Sequence, residues 1–357
     1  PLFEAEDFNA CGDEPWELGR GRSKGRAEKI GVGRVYWDFM MKVRQLCLKH
    51  GKRMNIWADI VLKHPEIIPD IPKDVVMLNW AYFPRAERIP RTHEITDAGL
   101  PLVCCPGTNA WLSHGSRLQT ALDNVSTFAR TAIENGAEGF MNTDWGDCGH
   151  RNTLGVSLCS FAHGAAHAWN SPAVDDDGHV DRLAFHVFGE RDGRLAKAMR
   201  CLGAPQSDNW SYYALMQSLL EPKSFVRGVA NLEGGASPRA TKLTEVELQE
   251  HLRELSTLKW PKPHKALPLF ETIALEEFAL ATEMEQLAYE RLLMVRSLTN
   301  MERLASKQLR RHAEHIDAVA QTFSHLWKSR NRPSRLSDNM ARFEGIRREA
   351  QTLAEQA

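Results

Sequence analysis

The spacing of apolar and polar residues changes character along the chain around residue 170. Before that point, short apolar runs of strand length alternate with stretches whose apolar residues recur every three or four positions. Val32 to His50 places Val35, Phe39, Val43, Leu46 and Cys47 at helical spacing, and Gly51 stands where a left-handed C-terminal cap is needed. An opening strand runs to Gly12, and Arg53 to Ile60 reads as the next. Asp74 to Trp80 and Leu100 to Cys105 are further strands, the latter ended by Pro106 and Gly107. Gly139 to Asp144 is a last short one. Helical patterns cover Arg91 to Ala98, Arg117 to Asn135 with Gly136 as its cap, and Leu154 to Trp169. Strand then helix, repeated, implies parallel βαβ units. Two α/β architectures fit: a doubly wound sheet, and the second half of a TIM-type (β/α)8 barrel whose first strands are absent from this chain.

Beyond residue 170 the strand signal disappears. Asp175 to His179 is a turn, Val180 to Gly203 is helical in two pieces, and Asp208 to Leu220 is helical again. Asn231 to Arg239 is rich in Gly, Pro and Ser and reads as a linker. From Leu243 the pattern is helical almost throughout, with Phe270, Ile273, Leu280, Met284 and Leu287 along one face of a long helix. Arg303 to Trp327 and Ser337 to Glu355 follow. The expected organisation is a barrel half over residues 1–170, transitional helices and linker over 171–240, and an all-α helical domain over 241–357. The helical domain carries no catalytic motif. Its expected role is to cover the barrel or to form a homodimer. The basic stretch Lys328 to Arg335 reads as a solvated turn between helices or an anion-binding loop.

Composition narrows the partners. The chain has 357 residues, 45 Lys and Arg against 46 Asp and Glu, and a formal net charge of −1, so nucleic acid is not an expected partner. No apolar run approaches the ~20 residues that span a bilayer, and no membrane partner is expected. Seven cysteines, with Cys104 and Cys105 adjacent, do not form a disulfide framework. They point to a reducing, cytoplasmic compartment. The first residue is Pro1 rather than Met, which reads as a trimmed N-terminus. No cofactor motif is present in the chain's pattern.

The polar residues at the strand ends carry the candidate chemistry. Asp13 and Glu14 follow the opening strand, Trp57 and Asp59 the second. Asn79, Trp80 and Tyr82 follow the third, Thr108, Asn109 and Trp111 the fourth, and Asp144, Trp145 and Asp147 the fifth. Barrel active sites are assembled at that face from several strand ends at once, which favours the barrel over the doubly wound sheet. Tryptophan faces stack on the C–H face of sugars, and neighbouring carboxylates and amides bind hydroxyls. Trp37, Trp169, Trp210, Trp260 and Trp327 are assigned to packing. An adjacent Asp-Glu pair beside a sugar can divide the work of glycoside hydrolysis between an acid and an ionised partner.

Gly12-Asp13-Glu14 with Leu18 and Gly19 at a strand end resembles the catalytic signature of glycoside hydrolase family 20, the β-N-acetylhexosaminidases. The resemblance covers roughly residues 3–170 and implies that the opening strand is the fourth of the barrel. It implies that Glu14 protonates the leaving oxygen and that Asp13 orients the 2-acetamido group, whose carbonyl oxygen attacks C1. Trp57, Trp80 and Trp145 then wall the acetamido pocket, and Asp147 binds hydroxyls in a Trp-x-Asp sequence where the family has Trp-x-Glu. The family's tyrosine after the seventh strand has no counterpart in Cys105 to Trp111, which leaves Asn109 or Tyr82 to bond the acetamido carbonyl. The expected activity is removal of terminal β-linked N-acetylhexosamine from a carbohydrate substrate, with no cofactor.

Two other readings stay open. A metal-dependent hydrolase would use Asp144, Asp147 and His150, or the pair His163 and His167 four apart on one helix face. The pair lacks the Glu of the zinc-protease motif. A non-catalytic carbohydrate-binding barrel would use the same tryptophans without turnover.

Overall fold

A computed structural model describes residues 3–89, 91–147, 151–203, 219–225, 244–262 and 267–357. It divides into two compact units that interleave in the chain. Unit 1 comprises residues 1–107, 121–143 and 163–174; unit 2 comprises 108–120, 144–162 and 175–357. The protein is α/β; the described residues hold one sheet and many helices.

Unit 1 holds a five-stranded sheet in the order β1 to β5: Asp7–Asn9, Arg53–Trp57, Val76–Trp80, Leu102–Cys105 and Gly139–Phe140. Every pairing is parallel. Each strand lies beside its predecessor, as in half a barrel. A doubly wound sheet reverses its order at a switch point, and this one does not. Helices α1 (Lys24–Ile30) and α2 (Val32–Lys49) connect β1 to β2. The short α3 (Asp59–Lys63) follows β2, and α4 (Thr92–Asp97) precedes β4. Helix α5 (Leu118–Glu134) precedes β5. It buries Leu118, Ala121, Leu122, Val125, Phe128, Ala129 and Ala132, a stripe of helical period. The core of unit 1 joins Trp37 and Met40 of α2 to Met54, Ile56 and Met77 of the strands. Each such buried side chain contributes roughly 1.5–3 kcal/mol. The residues of β1 are exposed.

The second strand is shorter than its pattern suggests. It stops at Trp57, and Asp59 opens α3 instead of extending the strand to Ile60. Ile60, Val61 and Leu62 are β-branched or apolar in sequence, but one helical turn lets all of them enter the core of unit 1. An acid in the first turn also suits the helix dipole. The last strand is likewise reduced to Gly139–Phe140; beyond it the Met141 N–H donates to the Cys104 carbonyl at 2.9 Å and the Thr143 N–H to the Pro106 carbonyl at 2.8 Å, with an isolated bridge between Gly107 and Thr143.

Helix α6 (Leu154–Asn170) follows, then α7 (His179–Phe188) and α8 (Arg194–Cys201). The helix expected over Asp208 to Leu220 falls outside the described residues, apart from its last two, and the Gly-rich linker at Asn231 to Arg239 lies wholly outside them. Among the described residues, the remaining helices of unit 2 are α9 (Glu245–Thr257), α10 (Leu269–Thr299), α11 (Ser306–Arg330) and α12 (Leu336–Gln356). Thr244 caps α9: its hydroxyl accepts from the Glu247 N–H, and the Glu247 carboxylate accepts from the Thr244 N–H at 2.6 Å. Helix α10 buries residues on most sides, among them Ile273, Leu280, Met284 and Leu287, while Phe270 stays exposed under the Arg330 guanidinium. Helices α11 and α12 are antiparallel. Ser306 at the start of α11 donates to the Ala354 carbonyl at the end of α12, at 2.7 Å, and Phe323 meets Phe343 with ring centroids 5.3 Å apart.

The packing assignments of the tryptophans divide. Trp37 is buried, Trp260 stacks on Phe278, and Trp327 donates its indole N–H to the Arg332 carbonyl. Trp169 is 92% exposed, so its assignment to packing is corrected. It sits at the last turn of α6, past the stretch of that helix that faces the core. Trp210 lies outside the described residues.

Candidate active site

The turn after β1 is conformationally unusual. Cys11, Gly12 and Glu14 all have positive φ, at 59°, 88° and 44°. Glycine adopts such angles freely, but Cys and Glu pay for them in strain. Hydrogen bonds hold the turn. The Asn9 side chain accepts from the Cys11 N–H at 2.8 Å, and Asp59 Oδ2 accepts from the Glu14 N–H at 3.3 Å. The Trp57 N–H bonds the Cys11 carbonyl at 3.1 Å, which fixes the turn to the end of β2. Asp13 is half-buried and Glu14 is exposed.

Beneath the turn lies Tyr36, from α2. A Cβ on Gly12 would stand 2.8 Å from the Tyr36 hydroxyl, so glycine is required there for space as well as for φ. Burial, followed by the charges of Asp59 and Asp13, pushes the Tyr36 phenol well above its ordinary range. It therefore stays neutral and can act only as a neutral hydrogen-bonding group. Burial also raises the Asp59 carboxyl and Asp13 adds to this, while the Glu14 N–H and Lys63 oppose it. Lys63 Nζ is 3.7 Å from Asp59 Oδ2. Unit 1 thus brings together Asp13, Glu14, Asp59 and Tyr36. Tyr36 was not among the residues expected from sequence. Its position in an amphipathic helix resembles any core aromatic, and only the close approach of Gly12 reveals it.

The other unit 1 candidates stand at the ends of β2 and β3. Trp57 is buried. Trp80 is half-buried and stacks on Tyr82, with ring centroids 5.2 Å apart and 19° between planes. Because the strands are parallel, their C-terminal ends share one edge of the sheet, so Asp13, Glu14, Trp57, Asp59, Trp80 and Tyr82 belong to that edge. Asn79 is turned away from this work: it is buried and donates to Thr92 Oγ1 at 3.0 Å.

The residues that follow β4 and β5 belong to unit 2 and form a set of their own. Thr108 Oγ1 donates to Asp144 Oδ1 at 2.6 Å, and Ser157 Oγ donates to Asp144 Oδ2 at 2.9 Å. Asp144 therefore ties two loops to the start of α6. Arg117, buried at the start of α5, donates to the Asn109 side chain at 3.0 Å and to the Trp111 carbonyl at 3.3 Å. Its guanidinium lies 5.3 Å from the centroid of the Trp111 ring. Asn109 and Trp111 are both buried, with Asn109 at a positive φ of 52°. Burial raises the Asp147 carboxyl, and the Arg117 charge opposes the rise. Trp145 is half-buried and Asp147 exposed. Arg117 is the organising residue that sequence reasoning did not single out. A signal was present: a cation at a helix N-terminus opposes the helix dipole and calls for a local reason.

His163 and His167 of the metal reading both direct Nε2 at the Ser126 hydroxyl, at 3.1 and 3.2 Å, and His167 Nδ1 meets Ser171 Oγ at 2.8 Å. The two rings contact edge to face. Of the other metal candidates, His150 lies outside the described residues and Asp144 is engaged by the two hydroxyls above. No protein-family model matches the chain, and no curated protein matches it.

Proposed function

We propose that the protein is a glycoside hydrolase that removes terminal β-linked N-acetylhexosamine by a substrate-assisted, retaining route on a TIM-type barrel. The observation that carries this reading is the turn after β1, where positive φ at Cys11 and Glu14 flanks Asp13 and Asp59 clamps the Glu14 N–H. A solvated acidic turn has no need of two strained non-glycine residues, and strain of this kind is characteristic of functional sites. The strictly sequential parallel sheet, with aromatic and carboxylate residues at its C-terminal edge, supports the same reading.

In this mechanism Glu14 gives its proton to the glycosidic oxygen as the bond to C1 breaks. The substrate's acetamido oxygen attacks C1, and Asp13 accepts the acetamido N–H and stabilises the positive oxazolinium. Glu14 then takes a proton from the water that opens the ring. Trp80 offers the face not covered by Tyr82 to the sugar. Tyr82, stacked on Trp80 at the same sheet edge, is the better placed substitute for the absent tyrosine. Asn109 already receives a hydrogen bond from Arg117.

The test is hydrolysis of 4-nitrophenyl N-acetyl-β-glucosaminide with and without a chelator. Turnover that survives chelation and falls by about 10²–10⁴-fold in Glu14→Gln supports the reading. Turnover abolished by the chelator points instead to a metal-dependent hydrolase. A second reading rests on the exposure of the Glu14 side chain: a carbohydrate-binding barrel without turnover. Binding of N-acetylglucosamine in the absence of any hydrolysis selects it.

A further inference from the structure

We propose that Cys201, His251 and Glu254 form a zinc-type metal site within the helical unit, independent of the glycosidase reading. Helix α8 ends at Cys201, and α9 presents His251 and Glu254 three positions apart on one face. One donor atom from each of the three lies within 4.8 Å of the other two. Cys201 and His251 are 6% and 8% exposed, and Glu254 stands at the rim with its side chain 54% exposed. Cys201 is a free thiol. His251 Nδ1 is 3.8 Å from Glu254 Oε2. A tetrahedral ion with bonds of about 2.0–2.3 Å keeps adjacent donors roughly 3.3–3.8 Å apart, so only a small contraction of the cluster is needed.

A second, independent observation lies on the far side of the imidazole. His251 Nε2 is buried without a hydrogen-bond partner and stands 3.6 Å from Oε1 of Glu285, whose side chain is fully buried. The Gly203 N–H, just past the end of α8, donates to Glu285 Oε2 at 3.0 Å and fixes that carboxylate. Tyr289, one turn further along α10, packs edge-on to the His251 ring at 4.9 Å and sets its plane. A carboxylate behind the second nitrogen of an imidazole is the device that fixes tautomer and orientation in metal-bound histidines. Leaving a buried ring nitrogen unpaired is costly. With a cation at Nδ1, the ring proton stands on Nε2, where it faces Glu285.

The donor set is thiolate, imidazole and carboxylate, which suits zinc better than the hard ions magnesium or calcium. On binding, the Cys201 S–H bond breaks, its proton leaves to solvent, and the sulfur lone pair forms the bond to the ion. Three protein donors leave the fourth position of the ion for water. The site clips the end of α8 to α9.

The experiment is a titration of the full chain, stripped with a chelator and dialysed, with cobalt(II) and then zinc. The expected result is binding of one cobalt per chain, with tetrahedral d–d absorption and a thiolate-to-cobalt charge-transfer band in the near ultraviolet, both erased by zinc. Cys201→Ser removes the charge-transfer band, whereas Cys159→Ser, at a buried cysteine that is not one of the three donors, keeps it. Glu285→Gln weakens binding by about 10–100-fold, as removal of an outer-shell partner does. Glu254→Gln, at an exposed position that leaves the fold intact by circular dichroism, weakens binding by at least ~10-fold on the same scale. No charge-transfer band in the native chain, a band that persists in Cys201→Ser, or unchanged affinity in Glu254→Gln overturns the proposal.

Discussion

His315 offers the sharpest test of the electrostatics in the helical unit. Its Nε2 bonds Glu283 at 2.7 Å and its Nδ1 faces Glu290 at 3.5 Å, while Glu290 also bonds His312 Nδ1 at 2.8 Å. Burial lowers the His315 imidazole, but Glu283 and Glu290 outweigh it and raise the group to about 9. For Glu290, burial raises the carboxyl, and the hydrogen bonds to His312 and His315 outweigh it and bring the group down to about 2. Burial lowers His312, which keeps it neutral beside its charged neighbour. A histidine raised on folding stabilises the folded state fully below its unfolded value of 6.5. That contribution is lost as pH rises through about 9. The rise from 6.5 to about 9 bounds the contribution at about 3.5 kcal/mol, at roughly 1.4 kcal/mol per pH unit. The Glu283 side chain is 52% exposed, and solvent screening of that partner reduces the bound to about 2 kcal/mol. Urea unfolding of the native chain and His315→Gln, followed by helical circular dichroism between pH 6 and pH 9.5, measures the difference. The native chain is expected to lose stability relative to the variant across that interval, and the two curves should converge at its upper end. A constant difference between them across the interval would refute the argument.

Other substitutions test separate parts of the structure. Arg291 is fully buried, bonds Glu349 and the Leu219 carbonyl at 2.7 Å each, and lies 4.0 Å above the Phe225 ring. Arg291→Ala strands the Glu349 carboxylate and should cost about 3–5 kcal/mol in urea unfolding, whereas Arg291→Met with Glu349→Leu should cost clearly less. Gly203 has a φ of 77°, and an added Cβ would stand 2.2 Å from the Ser116 carbonyl oxygen. Gly203→Ala should therefore lower the thermal midpoint of unit 2 and cost more than the roughly 1 kcal/mol of a left-handed alanine alone. Asp59→Asn replaces the clamp on the Glu14 N–H with a neutral group. On the proposed mechanism it should lower kcat by about 10-fold or more with little change in KM, since it disturbs a proton-transfer geometry rather than a binding contact. An unchanged kcat would remove Asp59 from the account.

Much of this fold was legible in the sequence because its signals are local. Period-two and period-3.6 patterns report which face of an element is buried, and they placed the five strands and most helices to within a few residues. The glycines after helices and the Asp13-Glu14 pair were legible for the same reason, since backbone sign and side-chain chemistry are properties of one position. The strand order of the sheet was not local information. Ile60 read as the end of the second strand, and only the burial of Ile60, Val61 and Leu62 in the core of unit 1 makes that segment a helix. Trp169 read as core, yet a helix end that lacks a packing partner leaves it in solvent. The partners of Asp144, the role of Arg117 and the meeting of Cys201 with His251 and Glu285 required tertiary structure. In each case the interacting groups are brought together from separate elements, and no pattern within one element encodes where the other will lie. The sequence by itself therefore determined the elements and the reactive side chains they carry. The packing of those elements decided which of the side chains meet, how strongly burial shifts their proton affinities, and which carboxylate clamps the turn that holds Glu14.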